Sequence, residues 1–213
     1  MRPNEAVPGL PSLRHPYTGF RKKCYLCYVI KREQDMGLDI FFHKTSRSRW
    51  NKYQDECDKF ANLSDEEKEQ GFHGTEAPED KFEPEEIGYF RKVNFLMQFF
   101  NYEGDCEYKE ISRAELEELQ DKCLVISSMK PSRVEYYKPD KETPWDKARV
   151  VNVYSEKDQK RCAEILPTTS GFFFGGTDYD EWYFKDVKEV LTWVTGVLKD
   201  LEDDEVVLMY CWW

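Results

Sequence analysis

The chain has 213 residues, with 31 Lys+Arg against 42 Asp+Glu, a formal net charge of −11 and a mean hydropathy of −0.78. Its 14 Phe, 13 Tyr and 6 Trp are far too many rings for a disordered chain, and no apolar run nears the ~20 residues that a membrane-spanning helix needs. Seven scattered cysteines, an odd number, fit a reducing cytoplasm better than a disulfide framework.

Charge is segregated along the chain. Residues 1–53 hold 11 bases and 4 acids, whereas residues 54–87 hold 13 acids and 3 bases. The basic stretch suits nucleic acid, an acidic partner or the acidic segment of its own chain. The overall balance argues against direct nucleic-acid binding, which needs a concentrated cationic face. The acidic surface leaves open an imitation of nucleic acid.

Residues 1–35 are read as an N-terminal arm, with Pro3, Pro8, Pro11 and Pro16 making its first part irregular. Residues 24–30 suit a short strand, and the apolar run at 25–30 is too short for a signal-peptide core. Residues 36–213 are read as one domain. Residues 36–43 are aromatic and β-branched enough for a strand. Residues 47–59 suit a helix or a loop. Ser64 and Glu67 form a capping box for a short helix that Gly71 ends, and an acidic loop follows to 83.

Pro84 predicts the first turn of a helix, with Glu85 and Glu86 at its positive end. Tyr89, Val93, Leu96 and Phe100 then give one buried stripe, and Arg91 and Asn94 share a neighbouring face. Ser112 and Glu115 predict a second capped helix, with Leu116, Leu119 and Cys123 inward. Residues 127–147, with Pro131, Pro139 and Pro144, look like an excursion without periodicity. A strand at 150–154 and a helix at 156–166 follow. Residues 170–174 read as a buried strand, and Gly175-Gly176 as a turn. Thr177 or Asp178 then caps a helix carrying Phe184, Val187, Leu191, Val194, Leu198 and Leu201, before a final apolar strand at 205–213.

Three groups of residues carry possible chemistry. At the Gly175-Gly176 turn, Asp178, Asp180 and Glu181 repel a phosphate; they suit a divalent cation or, more simply, a helix cap. Cys24 and Cys27 form one CxxC pair, too few ligands for a structural zinc, so inert thiols are the simpler reading. Of His15, His43 and His73, only His43 stands where a general base would, beside Asp39 at a strand end; a solvated side chain is the bland alternative. Arg91 with Asn94 puts a cation and an amide at the edge of the core, suited to a carboxylate or phosphate, or to solvent alone. No metal or cofactor motif is complete.

Met36-Gly37-Leu38-Asp39, Phe90-Arg91-Lys92-Val93-Asn94, the segment from Ser112 to Leu119 and, above all, Pro167-Thr168-Thr169-Ser170-Gly171-Phe172-Phe173-Phe174-Gly175 resemble an uncharacterised family of phage- and prophage-borne proteins. Members begin with a Met-Gly-Leu-Asp run and carry a Pro-Thr-x-Ser-Gly-Phe-Phe-Phe-Gly turn. The resemblance implies that the natural product starts at Met36, and that Asp39, Arg91, Asn94, Ser170, Gly175 and Asp180 converge on a ligand site.

The expected fold is α+β, a small mixed or antiparallel sheet packed with three or four helices in a single domain. The expected function is a non-catalytic phage-associated accessory protein in the host cytoplasm, without a cofactor, that binds a host protein or other macromolecule, or a small anionic ligand. The alternatives are a small, metal-assisted enzyme using Asp178, Asp180 and Glu181 with Asp39 or His43, and an acidic nucleic-acid mimic acting against host defence. The sequence does not fix the oligomeric state.

Overall fold

The structure, a computed structural model, describes residues 37–63, 82–103, 107–138, 147–171 and 174–213. The N-terminal arm, the strand expected at 24–30, the CxxC pair, His15, His73 and the helix expected after Ser64 lie outside the described residues.

The fold is α+β. A four-stranded sheet runs in the order β2-β1-β6-β3, from Glu85–Arg91, Asp39–Ser46, Glu205–Trp212 and Lys109–Ile111, with every neighbouring pair antiparallel. β6 is central and covered on both faces, which explains its nearly unbroken apolar run. Five helices lie among the described residues rather than three or four: α1 (Arg47–Ala61), α2 (Phe95–Phe99), α3 (Arg113–Ser127), α4 (Glu156–Ile165) and α5 (Glu181–Asp200).

Alternation along β1 and β6 splits their side chains between two cores. Ile40, Phe42, Phe90, Val207, Met209 and Cys211 join the inward stripes of α3 (Leu116, Leu119, Cys123, Ile126) and α5 (Val187, Val190, Val194). On the opposite face, Val206 and Leu208 meet Trp50 of α1 and Phe82, with Tyr53 and Tyr108 at the margin. Glu110 of β3 fastens α1 there, accepting from Trp50 Nε1 at 2.7 Å and from Arg47 Nη1 at 2.8 Å.

Local signals hold at several helix starts. Ser112 and Glu115 make a reciprocal capping box, and Ser46 and Ser155 cap α1 and α4 through their hydroxyls. The long helix starts later than expected: Asp180, not Thr177 or Asp178, is its cap, accepting from the amides of Trp182 and Tyr183.

The helix expected from Pro84 is instead β2. Its register against β1 pairs Asp39 with Arg91, Phe41 with Tyr89 and Phe42 with Gly88, then skips Ile87 to set His43 opposite Glu86. That bulge breaks the alternation that would have marked a strand. The strand expected at 170–174 is also overturned: Ser170, Gly171 and Phe174 are irregular, and β6 already has β1 and β3 at its two edges. The excursion at 127–147 contains β4 (Arg133–Tyr137), which pairs with β5 (Arg149–Val153) in a separate two-stranded ribbon. No helix among the described residues is long and apolar enough to cross a membrane.

Candidate functional site

At one end of the sheet, β1 begins and β2 ends. Their register sets Asp39 opposite Arg91. Asp39 is only 1% exposed, and burying a carboxylate that deeply needs compensation. Arg91 Nη1 lies 3.5 Å from its Oδ1, and the Tyr89 hydroxyl donates to the same oxygen at 2.5 Å. Burial first, then the bond to Asp39, push the Tyr89 hydroxyl above its ordinary range, so it stays a donor. The three groups form one array in which the arginine offsets the buried negative charge.

The chain then turns sharply. Lys92 has φ +62°, and its amide donates to the Leu38 carbonyl at 2.8 Å. Two glycines make room for this lysine. A β-carbon at Gly37 would lie 3.0 Å from Lys92 Cε and 3.1 Å from Arg91 Nη2. One at Gly175, itself at φ +88°, would lie 3.1 Å from Lys92 Cβ. The stem of Lys92 therefore crosses two bare backbones, while the residue remains exposed.

Asn94 follows, 2% exposed, just before α2. Its Nδ2 donates to the carbonyls of Phe174 at 3.1 Å and Gly176 at 2.8 Å, and its Oδ1 accepts from the Thr169 amide at 3.3 Å. One side chain thus stitches the 169–176 loop to the sheet end. Arg91 and Asn94 do not share a helix face: the first ends a strand and the second enters a one-turn helix after the Lys92 turn.

Of the six residues expected to converge, Asp39, Arg91, Asn94 and Gly175 gather around Lys92. Ser170 is exposed beside Thr169, and the Asp180 carboxylate is occupied by the cap of α5. Sequence reasoning missed Gly37, Tyr89 and Lys92 as members. Gly37 and Lys92 did stand inside the quoted motifs, but their role depends on a left-handed turn that no local pattern announces.

The acids of the enzyme alternative are dispersed. Glu181 pairs with Arg149 at 3.5 Å and accepts the Asn152 amide at 3.1 Å, while Asp178 is exposed. His43 lies among the rings of Phe41 and Tyr108, and burial lowers its pKa although Glu86 opposes the shift. Its Nδ1 is buried with no hydrogen-bond partner among the described residues. Burial pushes the Cys123 thiol up to about 12 and Cys162 up to about 11, so neither is a ready nucleophile. Among the described residues, no three His, Cys, Asp or Glu side chains group as a metal would require.

Half-buried Asp186 on α5 yields a pH prediction. Burial, reinforced by Glu189 and Asp180 and opposed by Lys185, raises its pKa from 3.8 to about 6. The folded chain therefore binds the extra proton between those values. The group costs stability as pH rises through that window and costs little below it. Asp186→Asn is expected to raise stability by roughly 1–2 kcal/mol at pH 8 and to change it little at pH 4. Thermal melts of both proteins at the two pH values check this; equal effects at both would exclude a titration origin.

Comparison with protein-family models, with curated proteins and with solved structures gives no match to this chain.

Proposed function

We propose that the chain is a non-catalytic accessory protein that binds a carboxylate or phosphate at the corner formed by Arg91 and Lys92. In the phage-borne setting that the sequence resemblance suggests, that group belongs to a host protein in the host cytoplasm. The observation that carries the reading is the backbone of Lys92. A residue with a β-carbon at φ +62° costs about 1–2 kcal/mol relative to an ordinary conformation, a cost that glycine does not bear. Here the position carries a cation whose stem crosses Gly37 and Gly175, with the Arg91 guanidinium beside the same Gly37. Strain retained next to converging charge is a hallmark of a binding position. Asp39 and Tyr89 hold Arg91 in place, and its side chain keeps 36% of its surface open. Among the described residues, the acids named for a reaction do not gather with a base: Asp180 caps a helix and Glu181 pairs with Arg149.

The reading predicts opposite effects on stability and binding. Lys92→Gly is expected to raise stability by roughly 1 kcal/mol, because the left-handed strain is relieved. The same variant should weaken binding of inorganic phosphate, or of a short polyglutamate peptide, about tenfold, the scale of one lost charge-assisted hydrogen bond. Chemical unfolding together with NMR titration checks both. Identical titrations for the two proteins, or a wild type that binds neither probe, would reject the reading.

A further inference from the structure

The β4–β5 ribbon stands apart from the main sheet, and its chemistry is not used by the Arg91–Lys92 corner. Four of the five residues of β4 are exposed, and its strand partner among the described residues is β5 alone. The register pairs Val134 with Asn152 and Tyr136 with Val150, so these four side chains share one face. Val134, Tyr136 and Val150 are 59%, 61% and 63% exposed, the three highest values among the exposed large apolar side chains. The opposite face carries Arg133, Glu135, Tyr137 and Arg149; Arg149 stacks on Tyr137 at 4.6 Å and on Trp182 of α5 at 5.4 Å. One face is therefore anchored, and the other is open and apolar beside an edge that pairs with no other strand among the described residues. A two-stranded ribbon is marginal alone, and an open apolar edge strand invites another strand.

We propose that β4 is the seam of a weak homodimer, pairing antiparallel with β4 of a second copy about a two-fold axis centred on Val134. Charge selects both the occupant and the register. Paired residues in an antiparallel ladder lie on the same face, so a two-fold seam must be centred on a residue. Centring on Arg133 or on Glu135 sets like charges directly opposite, which is destabilising. Centring on Tyr136 sets Glu135 opposite Tyr137. Centring on Val134 alone sets each Arg133 opposite the Glu135 of the other copy, twice. In the single chain, Arg133 Nε already meets Glu135 Oε1 at 2.5 Å, with both side chains at least half exposed. The seam would close these charges into an alternating ring of four. In this register Lys130 of each copy falls opposite Lys138 of the other, but both lie beyond the ends of the strand, where the ladder no longer holds them together. The two apolar patches then run on as one face across β5-β4-β4-β5, with Val134 meeting Val134 at the centre.

Sedimentation velocity on the full chain over a dilution series tests the seam. The wild type is expected to show a reversible dimer with a Kd on the order of 10–100 μM, as befits a small interface. R133E and E135R should each weaken it at least about tenfold, because two attractive cross-strand pairs become two repulsive ones. Mixing R133E with E135R should restore the dimer as a heterodimer, because each Glu135 of the first then faces Arg133 of the second. The double variant R133E/E135R should dimerise by itself. Both positions are exposed, so unchanged melts will show that all variants fold. A wild type that is monomeric at about 0.5 mM, or a dimer indifferent to either single exchange, overturns the proposal.

Discussion

Asn94→Ala is expected to destabilise the protein by about 3–4 kcal/mol and to lower Tm by roughly 10 °C. The side chain is almost wholly buried and makes three hydrogen bonds, all to backbone groups 75 to 82 residues away in sequence. Truncation removes more than those bonds. The Phe174 and Gly176 carbonyls and the Thr169 amide lose their shared partner, and each part-buried group left unpaired costs up to about 1–3 kcal/mol. Asn94→Asp should be no better, because a carboxylate accepts but cannot donate to the two carbonyls. The loss should be focused on the 169–176 loop, with hydrogen exchange there accelerating before the sheet is affected. A cost below about 1 kcal/mol would mean that the loop is held chiefly by other contacts, such as Phe174 against Trp213 at 5.7 Å. Because Gly175 supports the Lys92 stem, the same variant should also weaken phosphate binding.

Gly88→Ala should be comparably severe, about 3 kcal/mol, for a steric reason. A β-carbon at position 88 would stand 2.4 Å from Trp193 Nε1 and 2.9 Å from Trp193 Cε2, far inside van der Waals contact. The indole cannot withdraw cheaply. Its Nε1 donates to the carbonyl of the bulged Ile87 at 2.8 Å, and its ring packs on Phe42 at 4.2 Å and Phe90 at 5.4 Å. Nor can β2 shift, because β1 holds it through the Asp39–Arg91 and Phe41–Tyr89 pairs. A double-mutant cycle separates this clash from the general weakness of a new strand residue. In a Trp193→Ala background, Gly88→Ala should cost less than 1 kcal/mol, a coupling of about 2 kcal/mol or more. Equal costs in both backgrounds would refute the close-contact explanation.

These two positions also mark the limit of what the chain shows locally. Pro84-Glu85-Glu86 has the composition of a helix start, and the spacing of Tyr89, Val93, Leu96 and Phe100 completes the resemblance. Two features of the folded chain override it. β1 offers an edge whose partner must present Phe90 inward and Tyr89 outward, and the bulge at Ile87 leaves a carbonyl where Trp193 can reach it. A glycine facing an indole 105 positions away is invisible to any window of local sequence. The six residues expected to share a site fared in the same divided way. Asp39 and Arg91 meet because the sheet register makes them opposite, and Asn94 reaches Gly175's neighbours because the chain reverses at Lys92. Asp180 stays out because the helix start claims its carboxylate.

What the sequence determined by itself is what depends on a few adjacent residues. The Ser112–Glu115 box starts α3, the inward stripe of α5 contains Phe184, Val187 and Val194, and the apolar run of β6 belongs to a buried strand. In each case the energetic reason lies within one or two turns, as an unpaired amide needing a cap or an apolar face needing cover. What only the tertiary structure decided is pairing and convergence: the all-antiparallel order β2-β1-β6-β3, the conversion of 85–91 from helix to edge strand, and the corner where Lys92 lies across Gly37 and Gly175. Strand pairing, close packing on a glycine and a left-handed turn all draw their free energy from partners far away in sequence, and that energy outweighs propensities worth only a few tenths of a kcal/mol per residue.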